Sequence, residues 1–263
     1  INMIGEVVLG EDEAEERIEK YLNALANDHI DYISIKISTI YSQINALDME
    51  QTIEELIRRF SRIFSQAKKY KTVNKEGQEE YKFVNLDMEE YRDLEITFNS
   101  FIRALDQEEF KDLKAGLVLQ AYLPDSYNWL VKLTDWAKKR VENGGAPIKL
   151  RLVKGANMEM EQTEASLRHW ELTTYSKKVD SDSNYKKMLE HVLEPENAKA
   201  VNLGVASHNL FELAYGYEYA KEKGVLDHFS FEMLEGMSEA ARLAIKEISG
   251  EVILYAPTAT KDL

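Results

Sequence analysis

Cysteine is absent from this chain. Its absence removes disulfides, thiolate metal sites, iron–sulfur clusters and a cysteine nucleophile at once, and it fits a reducing cytoplasm. Long apolar runs are missing too. No uncharged stretch approaches the roughly 18 residues that span a bilayer, and nothing at the N-terminus resembles a signal peptide. Positive charge is in deficit, with 33 basic against 47 acidic residues and a net charge of −14. That balance disfavours a nucleic-acid partner and leaves room for a local basic patch around an anionic ligand. No G-x-G-x-x-G or Gly-Lys-Ser/Thr phosphate loop occurs. The five histidines (His29, His169, His191, His208, His228) are scattered, without the spacing of metal ligands. With no Gly/Ser linker and no low-complexity segment, residues 1–263 read as one domain.

What is present is a rhythm. Eight short apolar runs recur, at residues 3–9, 32–38, 82–87, 116–122, 148–154, 201–208, 229–234 and 252–255, each with a polar or charged residue near its C-terminal end. A helix-like stretch follows each of the first seven. The alternation predicts an α/β fold, a parallel (β/α)8 TIM-like barrel. Such barrels carry their chemistry at the C-terminal strand ends. Helices are expected at 12–26, from an N-cap at Asp48 through the stripe Ile53, Leu56, Ile57, Phe60, Ile63 and Phe64, and at 90–105, 127–141, 158–172, 184–193, 210–223 and 238–248. The polar stretch 71–80 reads as a loop. Ile1 enters the first strand almost at once, and Leu263 lies six residues beyond Pro257. The expectation is therefore a piece of a longer multidomain protein, a barrel whose final helix is missing from this chain.

Strand side chains alternate between faces. Ser34, Lys36 and Ser38 oppose Ile33, Ile35 and Ile37; Asn85 and Asp87 oppose Val84 and Leu86. Gln120 and Tyr122 oppose Leu119 and Ala121, Arg151 opposes Leu150 and Leu152, and His208 falls with Asn202, Gly204 and Ala206. Glu6, Glu232 and Tyr255 are placed similarly. The expected mouth thus holds Glu6, Lys36, Asp87, Gln120, Arg151, His208, Glu232 and Tyr255. One charge in a strand is usually a structural ion pair. Eight in corresponding places point to a ligand, because unpaired burial of each would be costly. None of these groups transfers hydride or electrons, so redox chemistry would need a cofactor. Schiff-base chemistry on Lys36 or Lys154, as in a lyase or aldolase, stays open, as does a non-catalytic barrel. Ser207 beside His208 is not a triad, since adjacent strand residues face opposite ways.

Seven segments in order on successive strands resemble the proline dehydrogenase family. They are Ser34-Ile35-Lys36-Ile37-Ser38, Leu86-Asp87-Met88-Glu89-Glu90, Gln120-Ala121-Tyr122, Arg151-Leu152-Val153-Lys154-Gly155-Ala156, Ser207-His208-Asn209, Leu234-Glu235-Gly236-Met237 and Tyr255-Ala256-Pro257. The resemblance is closest to the barrel of bifunctional proline-utilisation enzymes, which add an aldehyde dehydrogenase module. It implies FAD-dependent oxidation of L-proline to Δ1-pyrroline-5-carboxylate, with electrons passed to a quinone. It also implies a cytoplasmic protein in transient peripheral contact with the inner face of the membrane. By motif match, Arg151 approaches the flavin N5 and Gln120 its pyrimidine edge. Lys154, Gly155 and Ala156 line the flavin and its phosphates, with Lys178, His208 and Glu232 also on the cofactor. Lys36 binds the substrate carboxylate, and Asp87, Leu234 and Tyr255 shape the proline pocket. Asn157 stands where the family often has an aromatic residue, which implies a changed pocket wall. The family's last helix adds two arginines for the carboxylate, one of which Glu6 would partner; this chain stops before them.

Overall fold

The computed structural model describes residues 1–3, 7–74 and 77–258; Glu6, expected in the ring of polar groups, lies outside them. The chain forms two compact units, one comprising Ile1–Leu117 with Pro257–Leu263, the other Val118–Ala256.

The first unit begins with β1 (Asn2–Met3), α1 (Glu11–Ala26), β2 (Tyr32–Ile35) and a single helical turn, α2 (Ile37–Ile40). There follow α3 (Met49–Lys69), β3 (Lys71–Val73), β4 (Glu79–Tyr81), β5 (Phe83–Leu86), α4 (Leu94–Leu105) and the start of β6 (Ala115–Gln120). β2 pairs parallel with β5, placing Ser34 opposite Asn85, and β5 pairs parallel with β6, placing Asn85 opposite Gly116. The stripe expected on α3 is its buried face. Ile53, Leu56, Phe60, Ile63 and Phe64 are all inaccessible, and Phe64 meets Phe110 edge-on at 5.6 Å. Burying side chains of this size stabilises the unit by about 1.5–3 kcal/mol each. Ile57 is only half-buried, at the margin of the stripe.

One local expectation holds in position only, and two need correction. Asp48 occupies the N-cap position of α3 but makes no side-chain cap bond. The capping side chain is Asn45, which accepts from Leu47 N–H and starts the 3-10 turn that leads into α3. The second strand stops at Ile35, because Lys36 C=O accepts both the amide and the hydroxyl of Thr39 and turns the chain into α2; Ser38 is therefore helical. Residues 71–80 are not all loop. Their polar side chains hid an antiparallel hairpin, β3 against β4, tied by Lys71 and Glu79 at 2.7 Å. The pair is diagonal across the register and exposed, so it contributes only a small stabilisation.

The second unit holds the end of β6, α5 (Ser126–Glu142), β7 (Ile148–Val153), α6 (Met158–Arg168), α7 (Lys178–Leu193) and the turn α8 (Pro195–Ala198). It continues with β8 (Val201–Ala206), α9 (Leu210–Glu222), β9 (Phe229–Leu234), α10 (Glu239–Ser249) and β10 (Ile253–Tyr255). β7, β8, β9 and β10 pair in parallel in that order. Leu150, Leu152, Leu203 and Val205 are fully buried, as the alternation required. β11 (Pro257–Thr258) returns to the first unit and pairs parallel with β1. α6 ends four residues earlier than expected, because His169 turns left-handed (φ 55°) and Trp170 N–H closes the helix on Ala165 C=O. α7 starts at Lys178, earlier than its apolar spacing suggested. Among the described residues no helix is long and apolar enough to cross a membrane, and no group of three or more His, Asp or Glu could hold a metal ion.

Candidate active site

In the first unit, Lys36 and Asp87 leave the C-terminal ends of adjacent strands, tied by Asp87 N–H donating to Ile35 C=O at 2.8 Å. Lys36 is half-buried and its ammonium donates to Glu89 Oε1 at 2.7 Å, while Ser38 Oγ donates to Glu89 Oε2. One carboxylate thus occupies the cation expected to face a ligand, together with the Ser38 hydroxyl. Asp87 is nearly buried, and its Oδ1 accepts from Asn85 Nδ2 at 2.9 Å. Asn85 lies against Gly116, where a Cβ would come within 2.4 Å of Asn85 Oδ1. Glycine there lets a buried amide stand between two strands and orient the Asp87 carboxylate.

In the second unit, β7 and β9 assemble a compact ionic cluster. Arg151 Nε donates to Glu232 Oε2 at 2.6 Å, and Lys149 Nζ lies 2.6 Å from Glu232 Oε1. The Glu232 side chain is 2% exposed and that of Arg151 7%. Burial works to raise the Glu232 carboxyl, but the charges of Lys149 and Arg151 and their hydrogen bonds outweigh it and hold the group below its ordinary range. Burial lowers the Lys149 ammonium, against the pull of Glu232. The Arg151 guanidinium also sits 5.1 Å from the centre of the Tyr255 ring, a cation–π contact that fixes its plane. Arg151, Glu232 and Tyr255 are therefore brought together as the sequence suggested.

Further along the same strand ends, Lys154 is held by Asp182 and by Glu212 Oε1 at 2.6 Å. Burial acts to lower its ammonium, but the hydrogen bonds to the two carboxylates prevail and raise it. A protonated lysine is a poor Schiff-base nucleophile, which counts against amine chemistry at this position. Lys178, in the first turn of α7, reaches the other oxygen of Asp182, so one carboxylate gathers both lysines. Gly155 has φ +126°, and a Cβ there would lie 2.3 Å from the Tyr122 ring. Tyr122 is itself buried, its amide bonded to Lys154 C=O at 2.7 Å. Ala156 follows, exposed, and Asn157 takes the N-cap position of α6. Gln120 is buried at the end of β6.

His208 lies just past the end of β8 rather than in the strand. Its Nε2 accepts from Leu234 N–H at 3.2 Å, so the neutral ring carries its proton on Nδ1. That atom is buried with no hydrogen-bond partner among the described residues. Leu234 ends β9 opposite Tyr255, and Glu235 N–H donates to Tyr255 C=O. Ser207 Oγ donates to Glu212 Oε2 at 3.0 Å.

Sequence reasoning missed four members of these clusters. Lys149 shares the parity of Arg151 in β7, and that signal was available. Glu89 lay inside a quoted segment without a role. Asp182 and Glu212 sit on helices after different strands, and only the folded chain brings them to Lys154.

The family model described as Proline dehydrogenase matches residues 1–262. The bifunctional protein PutA of Klebsiella aerogenes and that of Escherichia coli strain K12 are each 25% identical over 282 residues, covering 99% of this chain and 20% of the relative. Among solved structures, proline utilization A (PutA) from Corynebacterium freiburgense is 42% identical over 99% of this chain and 26% of its own, with a TM-score of 0.92. PutA from Bdellovibrio bacteriovorus, inactivated by N-propargylglycine, is 31% identical over 99% of this chain and 28% of its own, with a TM-score of 0.87. This chain therefore spans about a fifth to a quarter of the length of these proteins. The agreement identifies the fold class as the parallel (β/α)8 barrel expected from the sequence.

Proposed function

Because this chain belongs to the proline dehydrogenase family, we propose that it oxidises L-proline to Δ1-pyrroline-5-carboxylate with FAD as the electron acceptor. The observation that carries the reading is the whole-length family match joined to a cationic, partly buried set of side chains at the ends of β6 to β10. That set fits a dinucleotide. His208 offers a buried, unanswered N–H, Lys154 and Lys178 gather at Asp182, and the backbone at Gly155 lacks a Cβ that would block close approach. Phosphate oxygens would answer the histidine and the lysines. Gln120 and Arg151 would hold the flavin ring, with Ala156 along it and Glu232 anchoring the arginine.

Bound FAD supplies the two-electron acceptor that no side chain provides. The chain's own residues bind and orient. Arg151, fixed by Glu232 and Tyr255, presents a preorganised cation where negative charge develops as the acceptor is reduced. Lys36 already holds a carboxylate, that of Glu89, and exchanges it for the carboxylate of proline. Asp87, steadied by Asn85, is assigned to the substrate in the first unit, and Leu234 and Tyr255 are assigned to it in the second. Proline gives up hydride from C5 and a proton from the ring nitrogen, leaving the C=N bond of the product. Onward transfer to a quinone, a linked aldehyde dehydrogenase module in a longer multidomain protein, and a cytoplasmic location with transient contact at the inner membrane face complete the proposal.

The test is the visible spectrum of the purified protein before and after anaerobic addition of L-proline. A flavin spectrum that bleaches supports cofactor, substrate class and a competent site together. A folded protein that takes up no flavin would sink the reading.

A further inference from the structure

The strand that delivers Arg151 also delivers a second buried cation, and the two meet on one carboxylate. Lys149 and Arg151 alternate on β7, two residues apart on the same face. Glu232 comes from β9, with β8 between. A strand in the middle would normally fill that space with its own side chain. Here the position opposite Arg151 is Gly204, and a Cβ built on it falls 2.1 Å from Glu232 Oε1 and 3.0 Å from Lys149 Cε. Gly204 leaves the gap through which a carboxylate of β9 reaches two cations of β7.

We propose that Lys149 is a positioning residue for Arg151, acting through Glu232 rather than by touching a ligand. It takes Oε1, Arg151 Nε takes Oε2, and the carboxylate is held at both ends. Among the described residues, two basic side chains converge on this one carboxylate. Buried ions are tolerated where they are paired and hydrogen-bonded, and removing one partner perturbs the others. Lys149 therefore has two consequences: it keeps the Glu232 carboxylate from turning away from Arg151, and it sets the charge that the redox acceptor meets. The second consequence rests on the flavin reading above; the first does not.

The experiment separates them. On the flavin-free chain, the water exchange of the Arg151 Nε–H, followed by 1H–15N spectroscopy, reports the bond to Glu232. Lys149→Met should speed that exchange about tenfold, the size expected for members of one ionic network, and Lys149→Arg should restore it. Lys149→Gln serves as the neutral variant should the methionine protein fail to fold. On flavin-loaded protein, affinity for sulfite, which adds to the flavin N5 and leaves a negative charge on the ring, reads the local charge. Lys149→Met should weaken sulfite binding and Glu232→Gln should strengthen it, since the first removes a cation and the second an anion. Unchanged Arg151 exchange in both neutral variants overturns the positioning role. Sulfite shifts in the same direction for Lys149→Met and Glu232→Gln overturn the charge-setting role. If the protein binds no flavin, the function reading fails while the exchange measurement still decides the fate of Lys149.

Discussion

At the scale of single residues, the useful cations are never alone. Lys36 is bound to Glu89, and Arg151 to Glu232. Pairing changes what substitution should do. Lys36→Met removes the cation proposed for the substrate carboxylate and should raise KM for proline about tenfold or more, since a charged hydrogen bond contributes about 1.5–3 kcal/mol. Glu89→Gln should lower KM, because the carboxylate that competes for Lys36 is gone. Steady-state kinetics on both variants checks this, and a KM that does not fall in Glu89→Gln would mean that Glu89 orients Lys36 instead. Arg151→Met should slow anaerobic flavin reduction about 10²–10³-fold, the usual effect of deleting one preorganised charge stabiliser. Stopped-flow bleaching rates equal to those of the unaltered protein would remove Arg151 from its role. Parity along β7 places Lys149 on the same face as Arg151.

At the scale of elements, glycine sets the spacing between strand ends and the groups they carry. Gly155 is doubly constrained, by a backbone angle that side chains avoid and by the Tyr122 ring beneath it. Gly155→Ala should cost about 1–3 kcal/mol in strain, read as a lower urea midpoint. In a Tyr122→Ala background the same substitution loses its steric part and should cost only the backbone part. No cost in that background, measured against Tyr122→Ala alone, would show that the positive φ costs nothing. The helices were legible wherever an amphipathic stripe is long, as in α3, and misjudged at their ends, as in α6. Helix ends depend on a single residue's conformation, here His169, and a repeating pattern carries no record of it. The β3–β4 hairpin was unreadable for another reason. Its cross-strand ion pair, Lys71 with Glu79, is exposed and looks like loop composition until the register is known.

At the scale of the whole chain, charge determines the response to pH. Burial pushes the Glu232 and Asp182 carboxyls up, but their lysine and arginine partners pull both below their ordinary values. A folded-state pKa below the unfolded one means that the unfolded chain takes up protons first as pH falls. The stabilisation is thus complete above the unfolded values of 4.5 and 3.8 and is lost as pH drops through the folded ones. His191 adds a milder decline. Burial, with the charge of Lys138, depresses its ring pKa, so stability falls as pH drops below 6.5 and the unfolded imidazole takes its proton first. Urea midpoints measured from about pH 8 to pH 3 should therefore fall gently below 6.5 and steeply below about 4.5. His191→Asn should flatten the first decline and Glu232→Gln part of the second. A midpoint independent of pH down to 4 would refute the assignment.

The sequence by itself determined the order of the parallel strands and their long helices and most of the buried faces, because each follows from a local period along the chain. It also carried enough ordered motif to place the chain in its family. Only the tertiary structure decided the partners. Glu89 closes on Lys36, Asp182 draws in Lys154 and Lys178, and Glu232 passes the gap at Gly204 to reach Lys149 and Arg151. Apart from Lys178 with Asp182, one turn apart on α7, such pairs join residues dozens of positions apart. They are set by the register between strands and by the space that a missing Cβ leaves, and neither quantity is written in any one segment of the chain.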